Sequence, residues 1–287
     1  MGVGVKMALV NIKDILKKAD EGNYAVGAFN VANMEMIVGS IKAAEELNSP
    51  IIIQVAEGRL KYSPLDLIGP MMVSAAKKAK VDVAVNLDHG LTMENIKKAL
   101  DLGFTSVMID GSKLPLDKNI ELTKNVINEA NKYGVAVEAE VGRVGGSEDD
   151  SKATGILYTD VEDAKKFVKE TNISALAVAI GNAHGIYKGE PDLNFEVLEN
   201  INKEIEIPLV LHGGTGITED DFRKCAKNGI RKINIATATF NSVNNAAKEL
   251  YKNDEESNYF KLNSAQVKGA YDNVYKYIKI FGSENKA

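Results

Sequence analysis

The chain has a single cysteine, Cys225, in 287 residues, which excludes an intramolecular disulfide and fits a reducing compartment. No stretch reaches the roughly 18 apolar residues that a membrane-crossing helix needs. Met1 to Val10 lacks the apolar core and small-residue cleavage site of a secretory signal. Met1-Gly2 could begin a myristoylation signal, but Lys6 stands where that signal needs Ser or Thr. These absences point to a cytoplasmic protein with no membrane partner. Nor is there an excess of basic charge. A net charge of -5 and a pI near 5.5 argue against a general nucleic-acid binder. Small anionic ligands stay open, because local charge in a site can oppose the global sign. No low-complexity tract or Pro/Ser-rich linker interrupts the chain, so residues 1–287 read as one domain, long enough for a large core. Histidine is scarce too: only His89, His184 and His212.

What is present is an alternation. Short apolar runs are each followed by a longer stretch with helical periodicity. The runs are Ala25-Asn30, Pro50-Val55, Val81-Asp88, Thr105-Asp110, Val135-Val141, Ser174-Gly181, Ile207-His212 and Ile230-Ile235. Most are apolar throughout, as in parallel strands buried on both faces. Their spacing of about 30 residues suits repeated βα units. Helices are expected over Met34-Leu47, Leu116-Lys132 and Asp160-Thr171, and Thr218 followed by Glu219, Asp220 and Asp221 reads as an N-cap with an acidic first turn. Eight such units predict an α/β fold, a closed (β/α)₈ barrel of the TIM type. Extra helix is expected in the tail from about Glu255. A doubly wound open sheet is the alternative, but it typically carries a Gly-rich fingerprint after its first strand, and GAFNVAN is not one. Cys225 lies in an amphipathic stretch and reads as a plain core thiol.

The polar residues gather at the C-terminal ends of the runs: Asn30, Asp88 and His89, Asp110, Glu140, His184, His212 and Asn234. In a barrel those ends share one mouth, where active sites are built. Each histidine follows a run directly or closely and is itself followed by Gly. Three imidazoles with an open fourth position match a catalytic zinc site. Glu138 and Glu140 alternate with alanines and so share one face of the fifth strand. A carboxylate pointing into a barrel is costly unless it meets a metal or a donor. Two Gly-rich elements, Leu211-Gly216 and Asn234-Thr237, follow the seventh and eighth runs, where barrel enzymes often hold phosphate on backbone N–H groups. A third, Gly142-Asp150, opens a loop long enough to act as a lid, or simply to present solvated acids.

Taken in order, NLDHG, SVMIDGS, VEAEVGRVGGSEDD, AIGNAHGIYKGEP, LVLHGGTGI and KINIAT resemble the class II, metal-dependent ketose-bisphosphate aldolases, from about Met7 to the closing FGSENKA. The resemblance implies a zinc enzyme with His89, His184 and His212 as ligands and Glu140 as a further ligand when the metal shifts. It implies Asp88 as the acid–base residue at the C4 oxygen and Glu148 as the residue that moves the C3 proton. Asn30, Gly185, Lys188, Gly213, Thr215, Asn234 and Thr237 would bind substrate, most of them the dihydroxyacetone-phosphate half. A monovalent cation, Na⁺ or K⁺, is implied near that phosphate, and a homodimer or homotetramer as the assembly. The implied reaction is reversible retro-aldol cleavage of fructose 1,6-bisphosphate, in which zinc stabilises the enediolate as a Lewis acid.

Some positions depart from the family pattern. Ala236 stands where fructose-specific members often have Asp or Asn, Lys113 replaces a frequent His, and no Arg appears in the tail for the second phosphate, where Lys268 is a substitute. YKGEP and FGSENKA look like the fructose branch, while AVAIG and NIAT lean towards tagatose 1,6-bisphosphate. A deoxy-phosphogluconate from inositol breakdown is also compatible. Three rivals predict other behaviour. A Schiff-base aldolase needs a desolvated lysine and leaves the histidines idle. A barrel metallohydrolase often carries an HxH pair on its first strand, absent here. A non-catalytic sugar-phosphate-binding metalloprotein predicts binding without turnover.

Overall fold

The computed structural model describes residues 8–146, 156–187, 189, 191–254 and 256–287. Its barrel strands are β1 (Val26–Asn30), β2 (Ile51–Ala56), β3 (Val83–Gly90), β4 (Ser106–Ile109), β5 (Ala136–Val141), β7 (Ala175–Val178), β9 (Leu209–Leu211) and β10 (Ile230–Ile235). All pair in parallel and close in the order β1-β10-β9-β7-β5-β4-β3-β2. All eight expected strands are therefore present, and the barrel replaces the open-sheet alternative. Two short strands, β6 (Gly145–Gly146) and β8 (Ala183–His184), pair with each other outside it.

The helices that follow the strands are α2 (Met34–Glu46), α3 (Leu65–Lys78), α4 (Met93–Asp101), α5 (Leu116–Ala130), α6 (Val161–Thr171), α7 (Phe195–Glu204), α8 (Glu219–Lys227) and α9 (Thr237–Asn253). Several start on a side-chain cap. Asn33, Thr92, Asp160, Asn194 and Thr218 each accept a first-turn backbone N–H, which satisfies donors the helix leaves open. α9 does not: its N-cap residue is Ala236, which has no capping side chain. The extra C-terminal helix is α10 (Tyr259–Phe281), packed along α2. Gly39 permits that approach, since a Cβ there would lie 2.3 Å from the carbonyl oxygen of Val267.

Two apolar cores flank the sheet. The outer one lies between strands and helices and includes Phe29, Phe104, Phe167 and Phe222. Cys225 is fully buried in it, and burial pushes its thiol pKa up to about 12, as suits an inert core cysteine. The inner core fills the N-terminal half of the barrel. Helix α1 (Ile12–Glu21) plugs that end with Ile12, Ile15, Leu16 and Ala19, one stripe at helical spacing. They meet Val26, Ala28, Ile52, Ala84, Met108, Ala136, Ala175, Ala177 and Val210 from the strands.

The same inward positions turn polar two residues further along. Ala28 gives way to Asn30, Ile52 to Gln54, Ala84 to Asn86 and Asp88, Ala136 to Glu138 and Glu140, and Val210 to His212. The side-chain period of a strand is two, so one alternation builds an apolar floor and a polar mouth in the same barrel. No helix among the described residues is long and apolar enough to cross a membrane.

Candidate active site

Successive residues of a strand point to opposite faces, so Asp88 and His89 would ordinarily part company. Here β3 breaks register against β4 between Leu87 and Gly90, and His89 adopts a left-handed backbone with φ of +43°. The irregularity lets both side chains serve the mouth. A non-glycine residue held there costs about 1–3 kcal/mol, a strain typical of functional positions. His212 follows β9 and is fully buried. Its backbone oxygen accepts from Asn182 Nδ2 at 3.0 Å. His184 ends β8, set against Gly146 of β6. Tyr187 ties this segment to the next loop: its hydroxyl accepts from the Ala183 N–H at 2.8 Å and donates to the Gly213 oxygen at 3.0 Å. Burial pushes the Tyr187 pKa up to about 12, so it serves as a neutral phenol.

The three imidazoles converge. Their ring centroids lie 4.6 Å apart for His89 and His212, 4.8 Å for His89 and His184, and 5.8 Å for His184 and His212. One ligand nitrogen from each falls within 4.8 Å of the others, and His89, Asp110 and Glu140 form a second such group. Both groups could hold a metal ion.

Hydrogen bonding fixes which nitrogens face inward. His89 Nδ1 lies 3.1 Å from Asp110 Oδ2, and His212 Nε2 lies 2.9 Å from Glu138 Oε1. A carboxylate accepts, so each ring gives an N–H to its carboxylate partner. That turns His89 Nε2 and His212 Nδ1 towards each other, 3.0 Å apart. A shared proton or a bound cation bridges such a pair. Burial and then the charge of His89 hold the His212 pKa well below its ordinary value, so that ring does not take up a second proton. His184 is lowered for the same two reasons. A cation suits the donor set, and Glu140 Oε2, buried without a hydrogen-bond partner, lies 3.6 Å from His212 Nδ1.

The carboxylates divide by environment. Burial opposes ionisation of Asp110, but His89 and two hydrogen bonds from Ser112 outweigh it and hold the group well below the usual carboxylate range. Burial together with the Asp110 charge pushes Glu140 up to about 8. Asp88 is buried too, yet His89, Lys232 and His212 lower its pKa. Both its oxygens accept amide hydrogen bonds at 3.0 Å, Oδ2 from Asn30 and Oδ1 from Asn234.

One cleft at the mouth brings together Asn30, Asp88, His89, His184, Gly185, Gly213, Thr215, Asn234 and Thr237 from the expected site, with Gly214 and Ala236 completing its wall. His212 and Glu140 lie buried beside it. Gly213 has φ of +65°, and a Cβ there would lie 2.2 Å from the Ala183 oxygen, so its loop needs glycine. Thr215 Oγ1 accepts from the Ala238 N–H at 3.0 Å and clips that loop to the start of α9. Glu148 and Lys188 lie outside the described residues. Lys268 does not line the cleft; it pairs with Asp272 along α10. Lys113 is exposed.

Further polar residues lie deeper in the barrel than those nominated from sequence. Glu138 and Lys232, both fully buried, form an ion pair of 2.9 Å across the barrel. Lys232 also donates to Asn234 Oδ1 at 2.7 Å. Gln54 donates to Asn30 Oδ1 at 2.9 Å and accepts from Asn86 Nδ2 at 3.1 Å. The available signal was positional: each lies two or four residues before a nominated residue or a strand end, on the inward face.

Similarities to known proteins agree with this geometry. A family model described as fructose-bisphosphate aldolase class-II matches residues 10–286. A protein of Staphylococcus aureus strain Mu50 named fructose-bisphosphate aldolase is 41% identical over 285 residues, covering 98% of this chain and 100% of its own. A probable fructose-bisphosphate aldolase of Bacillus subtilis strain 168 is 42% identical over 285 residues, with 98% and 100% coverage. Among solved structures, the YdjI aldolase of Escherichia coli K12 superposes with a TM-score of 0.88 at 38% identity, over 97% of this chain and 99% of that one.

Proposed function

The chain belongs to the class II fructose-bisphosphate aldolase family, and from that premise we propose that it reversibly cleaves fructose 1,6-bisphosphate to dihydroxyacetone phosphate and glyceraldehyde 3-phosphate. The observation that carries the metal reading is the convergence of His89 Nε2 and His212 Nδ1, 3.0 Å apart, with His184 beside them. Zinc held by His89, His184 and His212, with Glu140 as an alternative ligand, fits this donor set of neutral imidazoles. When bound, zinc supplies Lewis-acid stabilisation of the enediolate left on the three-carbon phosphate fragment.

The chain's own groups supply the rest. Asp88 accepts two amide hydrogen bonds, an arrangement that favours its carboxylate form and suits it to take the C4 hydroxyl proton in cleavage and return it in condensation. Asn30 and Asn234 each spend one amide N–H on Asp88 and keep a second for substrate. Gly213 and the start of α9 at Thr237 offer backbone N–H groups and a helix dipole to the phosphate of the dihydroxyacetone half. Gly185, Thr215 and Lys188 complete that subsite, and a monovalent cation, Na⁺ or K⁺, shares it. Glu148 moves the C3 proton from the loop after β5. The base of that loop is fixed, because Arg143 and Leu157 exchange backbone hydrogen bonds and β6 pairs with β8. The protein works as a cytoplasmic homodimer or homotetramer.

Tagatose 1,6-bisphosphate is the second reading, favoured by Ala236 in the cleft wall. A coupled assay with both sugars, before and after EDTA and then with zinc restored, tests the proposal. Fructose 1,6-bisphosphate cleavage that EDTA abolishes and zinc restores is the expected result, and the rate ratio names the sugar. Cleavage indifferent to chelation, in protein shown to retain no metal, would point to a lysine enzyme and overturn the metal reading.

A further inference from the structure

One cation sits inside the polar half of the barrel and joins its two sides. Lys232 of β10 is fully buried and offers three donors and no acceptor. One side of it runs to the histidines. Its Nζ lies 2.9 Å from Glu138 Oε2 and 3.2 Å from Glu138 Oε1, and Oε1 in turn meets His212 Nε2 at 2.9 Å. The other side runs to the acid–base carboxylate. Nζ donates to Asn234 Oδ1 at 2.7 Å, and Asn234 Nδ2 donates to Asp88 Oδ1 at 3.0 Å.

An amide can turn over, exchanging its donor and acceptor ends, and a neutral imidazole can move its proton to the other nitrogen. An ammonium has no such freedom. Because Lys232 only donates, Asn234 must turn its oxygen towards it and so its NH₂ towards Asp88. Because Lys232 donates to both Glu138 oxygens, Glu138 faces His212 as an acceptor, so His212 puts its proton on Nε2 and leaves Nδ1 as an acceptor.

We infer that Lys232, acting with Glu138, is a positioning residue that sets the donor–acceptor direction of the whole belt, fixing the His212 tautomer for metal and the Asn234 amide for Asp88. The inference rests on the zinc reading above. It gives the buried ion pair a role distinct from stability, since a buried pair is weak evidence for stability and apolar replacements are often neutral.

Two measurements test it. The first compares the unaltered protein with the Glu138→Gln/Lys232→Met double variant, which removes both charges at similar volume and leaves neither unpaired. Zinc affinity is measured by competition with a chromophoric chelator. The expected loss is about 10–100-fold, the usual effect of removing a partner that orients a ligating histidine. A folded double variant that binds zinc within about twofold of the parent overturns the inference.

The second needs no variant. Nitrogen-15 correlation spectra of the three imidazoles, recorded with and without zinc, read each tautomer directly. His212 is expected with its proton on Nε2 in both states. A His212 proton on Nδ1 in the zinc-free protein overturns the inference even if the double variant fails to fold. The two claims fail separately: an unaltered protein that binds no zinc sinks the proposed function, while the tautomer still decides the role of Lys232.

Discussion

Glu140 makes the zinc-free protein lose stability as pH rises from about 7 to 8.5. Its carboxyl is buried beside Asp110, and its pKa stands at about 8 against an ordinary 4.5. A folded value above the unfolded one means that the native state holds more protons between the two, so stability falls as pH rises through that range. The full shift corresponds to about 5 kcal/mol, at 1.36 kcal/mol per unit. Only part of it can be isolated. Below pH 7 the lowered pKa values of His184 and His212 act in the opposite direction, since their unfolded forms bind more protons there. Above about pH 8.5 the raised thiol of Cys225 adds a loss of its own. Between pH 7 and 8.5 the Glu140 contribution comes to about 1 kcal/mol. For a chain of this size that is roughly 2–4 °C in melting temperature. The assay is thermal or urea unfolding of EDTA-treated protein at both pH values, alongside Glu140→Gln, which keeps the shape and removes the titration. The parent should lose this stability and the variant should not. A parent equally stable at both pH values, or a variant with the parent's slope, would refute the reasoning.

Three further outcomes are expected. Asp88→Asn should lower kcat by about 10²–10⁴ while zinc affinity is kept, because it removes proton transfer without touching a ligand; stopped-flow kinetics and metal titration check this. Gly213→Ala forces a side chain against the Ala183 oxygen at positive φ. It should cost about 1–3 kcal/mol of stability and weaken binding of dihydroxyacetone phosphate, read by unfolding and calorimetry. Phe104→Ala empties a site in the outer core, where Phe104 is 1% exposed. It should cost about 3–5 kcal/mol with no change in KM, since the ring is remote from the mouth.

Much of the barrel could be read from sequence, because its strands are apolar on both faces and its helices are not. Each of the eight runs became a strand, and Thr218 caps α8 as its TEDD motif suggested. The convergence of His89, His184 and His212 was also legible, because each stands at or just past a strand end and the barrel brings such ends to one mouth. Less legible was how Asp88 and His89 both reach the site. That depends on a register break and a left-handed histidine, and neither leaves a composition signal. Less legible still was the layer below the mouth. Glu138 stood out beside Glu140, but Lys232, Gln54 and Asn86 sit in mid-strand, where a single polar residue reads as an exception in an apolar run. Only the inward period of two, followed across several strands at once, would have grouped them. Lys232 is buried as a Schiff-base lysine would be, but its 2.9 Å pairing with Glu138 gives it a different place.

The central claim is that three imidazoles at the barrel mouth hold zinc. A crystal of the zinc-loaded protein measured on both sides of the zinc absorption edge tests it most directly. The account predicts one strong anomalous peak bonded to His89 Nε2, His212 Nδ1 and a ring nitrogen of His184, at about 2.0–2.1 Å from each. A peak bound elsewhere, or no peak at the mouth in protein that cleaves the sugar, would contradict it.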